Sequence, residues 1–159
     1  MKPLGSLLLA AWLGAALLFA ASVAPAAFAV LPARALAGAL VGRILPVVFV
    51  AGMGTAVLAF ALDRPLGRDI PARVRAGALA VVAIACGVAQ FVIAPRIGAL
   101  RAEMGPVIEA LAVDDPRRRA FGQLHAISVA WLGLAMLAAA LAVGAAAWSG
   151  RRSAVPSAP

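Results

Sequence analysis

The chain has almost none of the side chains that most enzymes rely on. It carries one cysteine, Cys86, and one histidine, His125, in 159 residues. A single cysteine excludes an intrachain disulfide and a CxxC pair, and it leaves the redox compartment undetermined. A single histidine excludes a multi-histidine metal site. The lack of a Ser-His-Asp or Cys-His arrangement and of a glycine-rich phosphate loop argues against conventional hydrolase or kinase chemistry, and a non-enzyme is expected. Acids are scarce. All six, Asp63, Asp69, Glu103, Glu109, Asp114 and Asp115, fall in predicted loops or at a helix start. That argues against proton-coupled pumps, which use carboxylates or histidine chains within the membrane.

What the chain does have is apolar length. It is 65% hydrophobic with a mean hydropathy of +1.04, and 13% charged residues cannot supply the polar surface of a soluble domain. Bilayer is the natural solvent, and the length suits one membrane domain over residues 1–150. The net charge of +8 comes almost wholly from arginine, since Lys2 is the only lysine. These arginines lie in short stretches between apolar runs. That pattern fits topology-setting contact with anionic lipid headgroups, not nucleic acid. The Ala/Gly/Arg/Pro-rich, lysine-poor composition suggests a GC-rich bacterial genome, and hence the bacterial inner membrane.

Four spans are predicted, about 4–24, 44–62, 76–95 and 126–148. The first could be a secretory signal with an Ala27-Phe28-Ala29 cleavage site, but its apolar run rises roughly 30 Å as a helix, enough to span. Pro25 is expected to interrupt it. A second helical pattern runs from Pro32 to Leu62, with Arg34 and Arg43 in its first half, a Gly38/Gly42 GxxxG pair for close backbone approach, and a kink at Pro46. Residues 63–75 read as a polar loop holding Arg64, Arg68, Arg73 and Arg75. After the third span, Arg96, Arg101, Glu103 and Glu109 alternate with apolar residues through a segment broken by Gly105-Pro106, which predicts a short interfacial helix. Asp115 reads as the N-cap of the fourth helix, with Pro116 at its first position. Trp148 with Arg151-Arg152 reads as an interface anchor, and 151–159 as a disordered tail. The expected fold is an all-α, integral membrane four-helix bundle with one interfacial helix between spans three and four. Small residues such as Ala83/Gly87 and Ala140/Gly144 are expected to pack it. Both termini fall on one side. Positive charges divide equally between the two sides, and the concentration of arginines in the second loop favours a cytoplasmic assignment for the termini.

Polar residues gather towards one leaflet: Ser22, Arg43, Gln90, Arg96, Gln123, His125 and Ser128. His125 and Ser128 share a helix face. One reading is an inward polar pocket of His125, Ser128, Gln90, Arg43 and Arg96, with His125 titratable. The other is polar bonding from helix to helix. Met53, Cys86 and Met136 fall near the middle of three spans. Soft ligands at one depth could hold monovalent copper, and the same residues commonly fill gaps in an apolar core.

Several short motifs occur in a fixed order. Trp12-Leu13-Gly14 is followed by Ala24-Pro25-Ala26-Ala27-Phe28 with Leu31-Pro32, then by Ala37-Gly38 to Gly42-Arg43. Ala94-Pro95-Arg96-Ile97 and Phe121-x-x-Leu124-His125-x-x-Ser128 come later. In these the chain resembles, over nearly its whole length, the domain of unknown function 4149 family, the transmembrane-protein-205-like membrane proteins. The resemblance implies four membrane helices with the first segment retained, and a family pattern that includes His125, Ser128, Arg43, Pro95 and Arg96. It implies no activity. A looser architectural likeness to copper-resistance and haem-pathway membrane proteins adds haem to the cofactor expectations, against which stands the single histidine. Three function classes follow: solute or metal handling in the pocket, a non-catalytic assembly partner or homo-oligomer, and a haem- or copper-binding protein.

Overall fold

The computed structural model describes residues 4–63, 69–105, 112 and 114–153, with side chains through residue 149. The charges at Lys2, Arg64 and Arg68, the Pro106 break with Glu109, the side chains of Arg151 and Arg152, and the tail beyond Ser153 lie outside the described residues. Four helices are long and apolar enough to cross a membrane. They are α1 (Leu4–Val30), α2 (Arg34–Asp63), α3 (Ile70–Met104) and α4 (Pro116–Ser153). Each packs against its neighbours in chain order and α4 closes back onto α1, so the bundle is a four-membered ring of antiparallel helices.

The arrangement of side chains is that of a protein solvated by lipid. The interior is built mainly from alanine: Ala16, Ala56, Ala59, Ala85, Ala89, Ala135, Ala139 and Ala142 are all essentially buried. The larger apolar residues, among them Leu18, Val30, Val57, Ile84 and Leu137, point outward. Lipid offers no hydrophobic drive for helix association, so stability must come from close backbone approach, which small residues permit. The few large core side chains interlock around Gly52. A β-carbon at Gly52 would lie 2.5 Å from the Trp12 ring and 2.8 Å from Cys86 Sγ. Trp12 Nε1 donates to the Val48 carbonyl one turn earlier at 2.9 Å. Trp12 of α1, Gly52 of α2 and Cys86 of α3 thus meet at one point.

The helices extend further than the hydropathy pattern suggests. Pro25 does not end α1, nor Pro95 the third span. In each case a π-helical turn, Phe19–Val23 or Ala89–Ile93, precedes the Ala-Pro pair. There the Ala24 N–H donates to the Phe19 carbonyl, and the Ala94 N–H to that of Ala89. The widened turn accommodates a ring that would otherwise clash with the carbonyl four residues back. Of the segment expected as a separate interfacial helix, the part with Arg96, Arg101 and Glu103 lies in the helical stretch Ala94–Met104, which continues α3 directly, and the part with Glu109 lies outside the described residues. The helical stretch ends at Gly105, the one described glycine with a left-handed φ, +77°. The two π turns also mark an internal repeat. Leu79, Val82, Cys86 and Ala89 of α3 are buried in the same register as Leu9, Trp12, Ala16 and Phe19 of α1.

Two further expectations are corrected. Residues 63–75 are not all loop: α2 reaches Asp63 and α3 starts at Ile70, so Arg75 is helical. Asp63 and Arg75 form a salt bridge with only 3% and 10% of their side chains exposed. The Gly5 N–H adds a bond to Asp63 Oδ1 at 3.3 Å, which ties the start of α1 to the same carboxylate. A carboxylate at the edge of an apolar run does enter the bundle, because a cation one helix away neutralises it. Ala140 and Gly144 do not pack the bundle either. They are exposed, while Ala135, Ala138, Ala139 and Ala142 face inward on a neighbouring helical phase.

Gly52→Ala is expected to lower stability by about 1–3 kcal/mol, because the new methyl meets a buried indole. Gly54→Ala, where nothing lies within 4 Å, is the control, and unfolding in mixed micelles reads both. Asp63→Ala should cost about 3–5 kcal/mol by leaving Arg75 buried and unpaired, whereas the double variant Asp63→Leu/Arg75→Leu should recover most of that loss.

Candidate functional site

The end of the bundle where α2 starts, α3 ends and α4 starts holds a groove-like cavity of about 620 Å³. Asp115 sets the start of α4. Its Oδ1 accepts from the Arg117 N–H at 2.8 Å, its carbonyl accepts from the Arg119 N–H, and Pro116 takes the first helical position, so it is the N-cap the sequence indicates. The Arg117 guanidinium closes on the same carboxylate through Nε and Nη2. From that start Phe121, His125 and Ser128 follow on one face of α4 and line the cavity. Phe121 and His125 rings stack with centroids 6.4 Å apart. His125 is exposed towards the mouth and Ser128 is 3% exposed on the inner wall.

The opposite walls come from α2 and α3. Arg101 reaches from α3 across the Gly38/Gly42 pair, its Nη1 donating to the Gly38 carbonyl at 3.3 Å. Its guanidinium carbon lies 5.5 Å from the centre of the Phe121 ring, within cation–π range. A β-carbon at Gly38 would meet Arg101 Nη2 at 3.2 Å, and one at Gly42 would meet Nη1 at 3.1 Å. The GxxxG pair therefore forms a furrow for an arginine, not a seam between two backbones. Pro46, one turn later in α2, has no N–H to give the Gly42 carbonyl. Arg34, at the start of α2, is the second cation at the cavity. Among the described residues neither Arg34 nor Arg101 has a carboxylate partner, and no acid lines the cavity.

Of the sequence candidates, His125 and Ser128 come together here. Arg43, Arg96 and Gln90 are not among the lining residues: the two arginines are exposed, and Gln90, on the π turn of α3, is half-buried. Gln90 Oε1 is buried and has no hydrogen-bond partner among the described residues. Arg34 and Arg101 are the cations the sequence reading overlooked, because both look like ordinary charges at membrane ends. The signal available was the GxxxG pair, whose bare surface needs a partner. Met53, Cys86 and Met136 belong to one packed cluster. Cys86 fits against Gly52, and Met53 Sδ would lie 3.8 Å from a β-carbon at Gly87, so both fill space between α2 and α3. Among the described residues no group of three or more His, Cys, Asp or Glu could hold a metal ion.

Residues 7–106 match the model of a family described as a domain of unknown function, DUF4149. The chain belongs to this family. The match takes in α1, α2 and α3 with both π turns, Gly38, Gly42 and Arg101, while the Phe121–Ser128 face of α4 lies beyond it. No curated protein and no solved structure matches the chain. It is thus a multi-pass membrane protein of the DUF4149 family, and its activity has to be argued from its own residues.

The cap that positions the α4 face is acid-labile. Hydrogen bonds from the Arg117 side chain and backbone pull the Asp115 carboxyl down from its ordinary 3.8 to about 2. Because the folded value is the lower one, the cap contributes fully above pH 3.8 and is lost as pH falls through about 2. Carboxyl-carbon NMR of the DUF4149 protein in micelles should give a midpoint near that value, and Arg117→Ala should move it back towards the ordinary one.

Proposed function

We propose that this DUF4149 protein handles a small solute that enters the cavity between α2, α3 and α4 from one leaflet. The observation that carries this reading is the convergence of Arg34, Arg101, His125 and Ser128 on a cavity whose other walls are apolar. Ionisable and polar groups are costly near lipid, and groups that face a shared cavity in a membrane bundle usually serve a ligand. The protein is read as sitting in the bacterial inner membrane with both termini cytoplasmic, in keeping with its composition and with the arginines around the α2–α3 connection.

Thiol accessibility tests the reading. In a Cys86→Ser background, Ser128→Cys should react with a small water-soluble methanethiosulfonate at least about tenfold faster than Ala135→Cys, since a cavity-lining thiol is reachable and a packed one is not. Equal, slow rates at both positions would reject an open pocket.

A second reading, assembly with another membrane protein or a second copy, is favoured by one observation. Exposed Ala140 and Gly144 of α4, with Asp69, Ile70, Pro71 and Val74 at the start of α3, line a groove of about 650 Å³ at the far end of the bundle. Small residues on a lipid-facing surface allow another helix to approach closely. Under this reading Gly144→Leu would abolish an oligomer seen by crosslinking in native membranes and would leave Ser128→Cys reactivity unchanged.

A further inference from the structure

We propose that the occupant of the α2–α3–α4 cavity is the phosphate headgroup of an anionic lipid, gripped by Arg101 and Arg34. This rests on the pocket reading above and names the ligand class for it.

The argument starts from charge. Arg101 is half-buried, and its fixed contacts are a carbonyl and an aromatic face, neither of which neutralises a cation. The buried arginine at the other end of the bundle is handled differently: Arg75 is closed by Asp63. With no acid among the described residues of the cavity wall, Arg34 and Arg101 present two guanidinium groups to whatever lies between them. A guanidinium is always charged, and its planar fork matches the oxygens of a phosphate. Arg101 is held in place before any ligand arrives, by the Gly38 carbonyl on one side and the Phe121 ring on the other.

The shape of the cavity then chooses between a free anion and a lipid. Phe28 and Leu36 are among its lining residues and are 48% and 53% exposed, so apolar surface lies open beside the arginines. A soluble anion would leave these apolar flanks uncovered, whereas a lipid headgroup brings its own chains to them. The site also lies near the helix ends. His125 is about 13.5 Å along the axis from the start of α4, in a helix longer than the roughly 30 Å hydrocarbon core, and headgroups lie near that depth. Ser128 on the inner wall supplies a hydroxyl that can donate to a phosphate oxygen.

Binding of spin-labelled phosphatidic acid and phosphatidylcholine to the protein in nanodiscs would test the proposal. The wild-type protein should immobilise phosphatidic acid in preference to phosphatidylcholine. That preference should fall about fivefold in Arg101→Gln and again in Arg34→Gln, the loss expected per arginine near a headgroup. Arg43→Gln, an exposed arginine outside the cavity, should leave it unchanged. Gly42→Ala keeps every charge but moves the Arg101 guanidinium. It should weaken the preference several-fold, and it serves as the decisive variant if Arg101→Gln folds poorly. Equal losses in Arg43→Gln and Arg101→Gln would overturn the site in favour of diffuse surface charge. Displacement of the labelled lipid by millimolar inorganic phosphate would overturn the lipid in favour of a soluble anion. Rapid Ser128→Cys labelling without any lipid preference would leave the pocket standing and reject this ligand.

Discussion

Everything in this bundle depends on how closely α2 can approach α1 and α3 at Gly52. With no side chain there, the Trp12 indole and the Cys86 thiol occupy the space a β-carbon would take. The bond from Trp12 Nε1 to the Val48 carbonyl fixes rotation and depth together. In lipid, where apolar surface gains little from association, a contact of this kind does the work that hydrophobic burial does in water. The alanine interior above and below Gly52 extends the same close approach along the bundle.

That close approach has consequences at both ends. At one, Gly5 lets α1 come near enough for its N–H to reach Asp63, where any β-carbon would lie 2.5 Å from Oδ2. At the other, Gly38 and Gly42 leave a furrow that Arg101 fills. Arg75 and Arg101, at opposite ends, are therefore treated in contrasting ways. Arg75 meets a carboxylate inside the protein and its charge is spent there. Among the described residues Arg101 meets a carbonyl dipole and a ring but no carboxylate, so its charge is still directed into an open cavity. This asymmetry between Arg75 and Arg101 is what separates a structural ion pair from a candidate binding site.

The π turns connect fold to site. Each shifts the phase of its helix just before an Ala-Pro pair and lets the helix continue, so that α3 extends beyond Pro95 and carries Arg101 to the cavity. Had α3 ended at Pro95, Arg101 would belong to a surface segment with no fixed relation to Gly38. The matching turn in α1 carries Phe28 to the cavity wall. Both places lie within the residues that match the DUF4149 model.

Much was legible in the sequence by itself. Apolar run length and the scarcity of charge determine four membrane helices, because a continuous apolar run of about twenty residues spans lipid as a helix, whereas the strands of a barrel are about half as long and alternate in polarity. Asp115-Pro116 determines where α4 starts, since capping is a local matter of a carboxylate and the next few N–H groups. The gathering of His125 and Ser128 on one face follows from helical spacing alone. What only the tertiary structure decided were relations between helices. Asp63 read as a loop acid because nothing in its neighbourhood in the chain announces Arg75 across a turn. Gly38 and Gly42 read as a helix-packing motif because glycine spacing records only that something comes close, not whether it is a backbone or a guanidinium. Pro25 and Pro95 read as ends of spans because proline removes a hydrogen bond locally, while the π turns that absorb the loss belong to the packed helix. Which arginines set topology and which line a cavity was settled by where three helices leave a gap between them, and one-dimensional spacing carries no record of that gap.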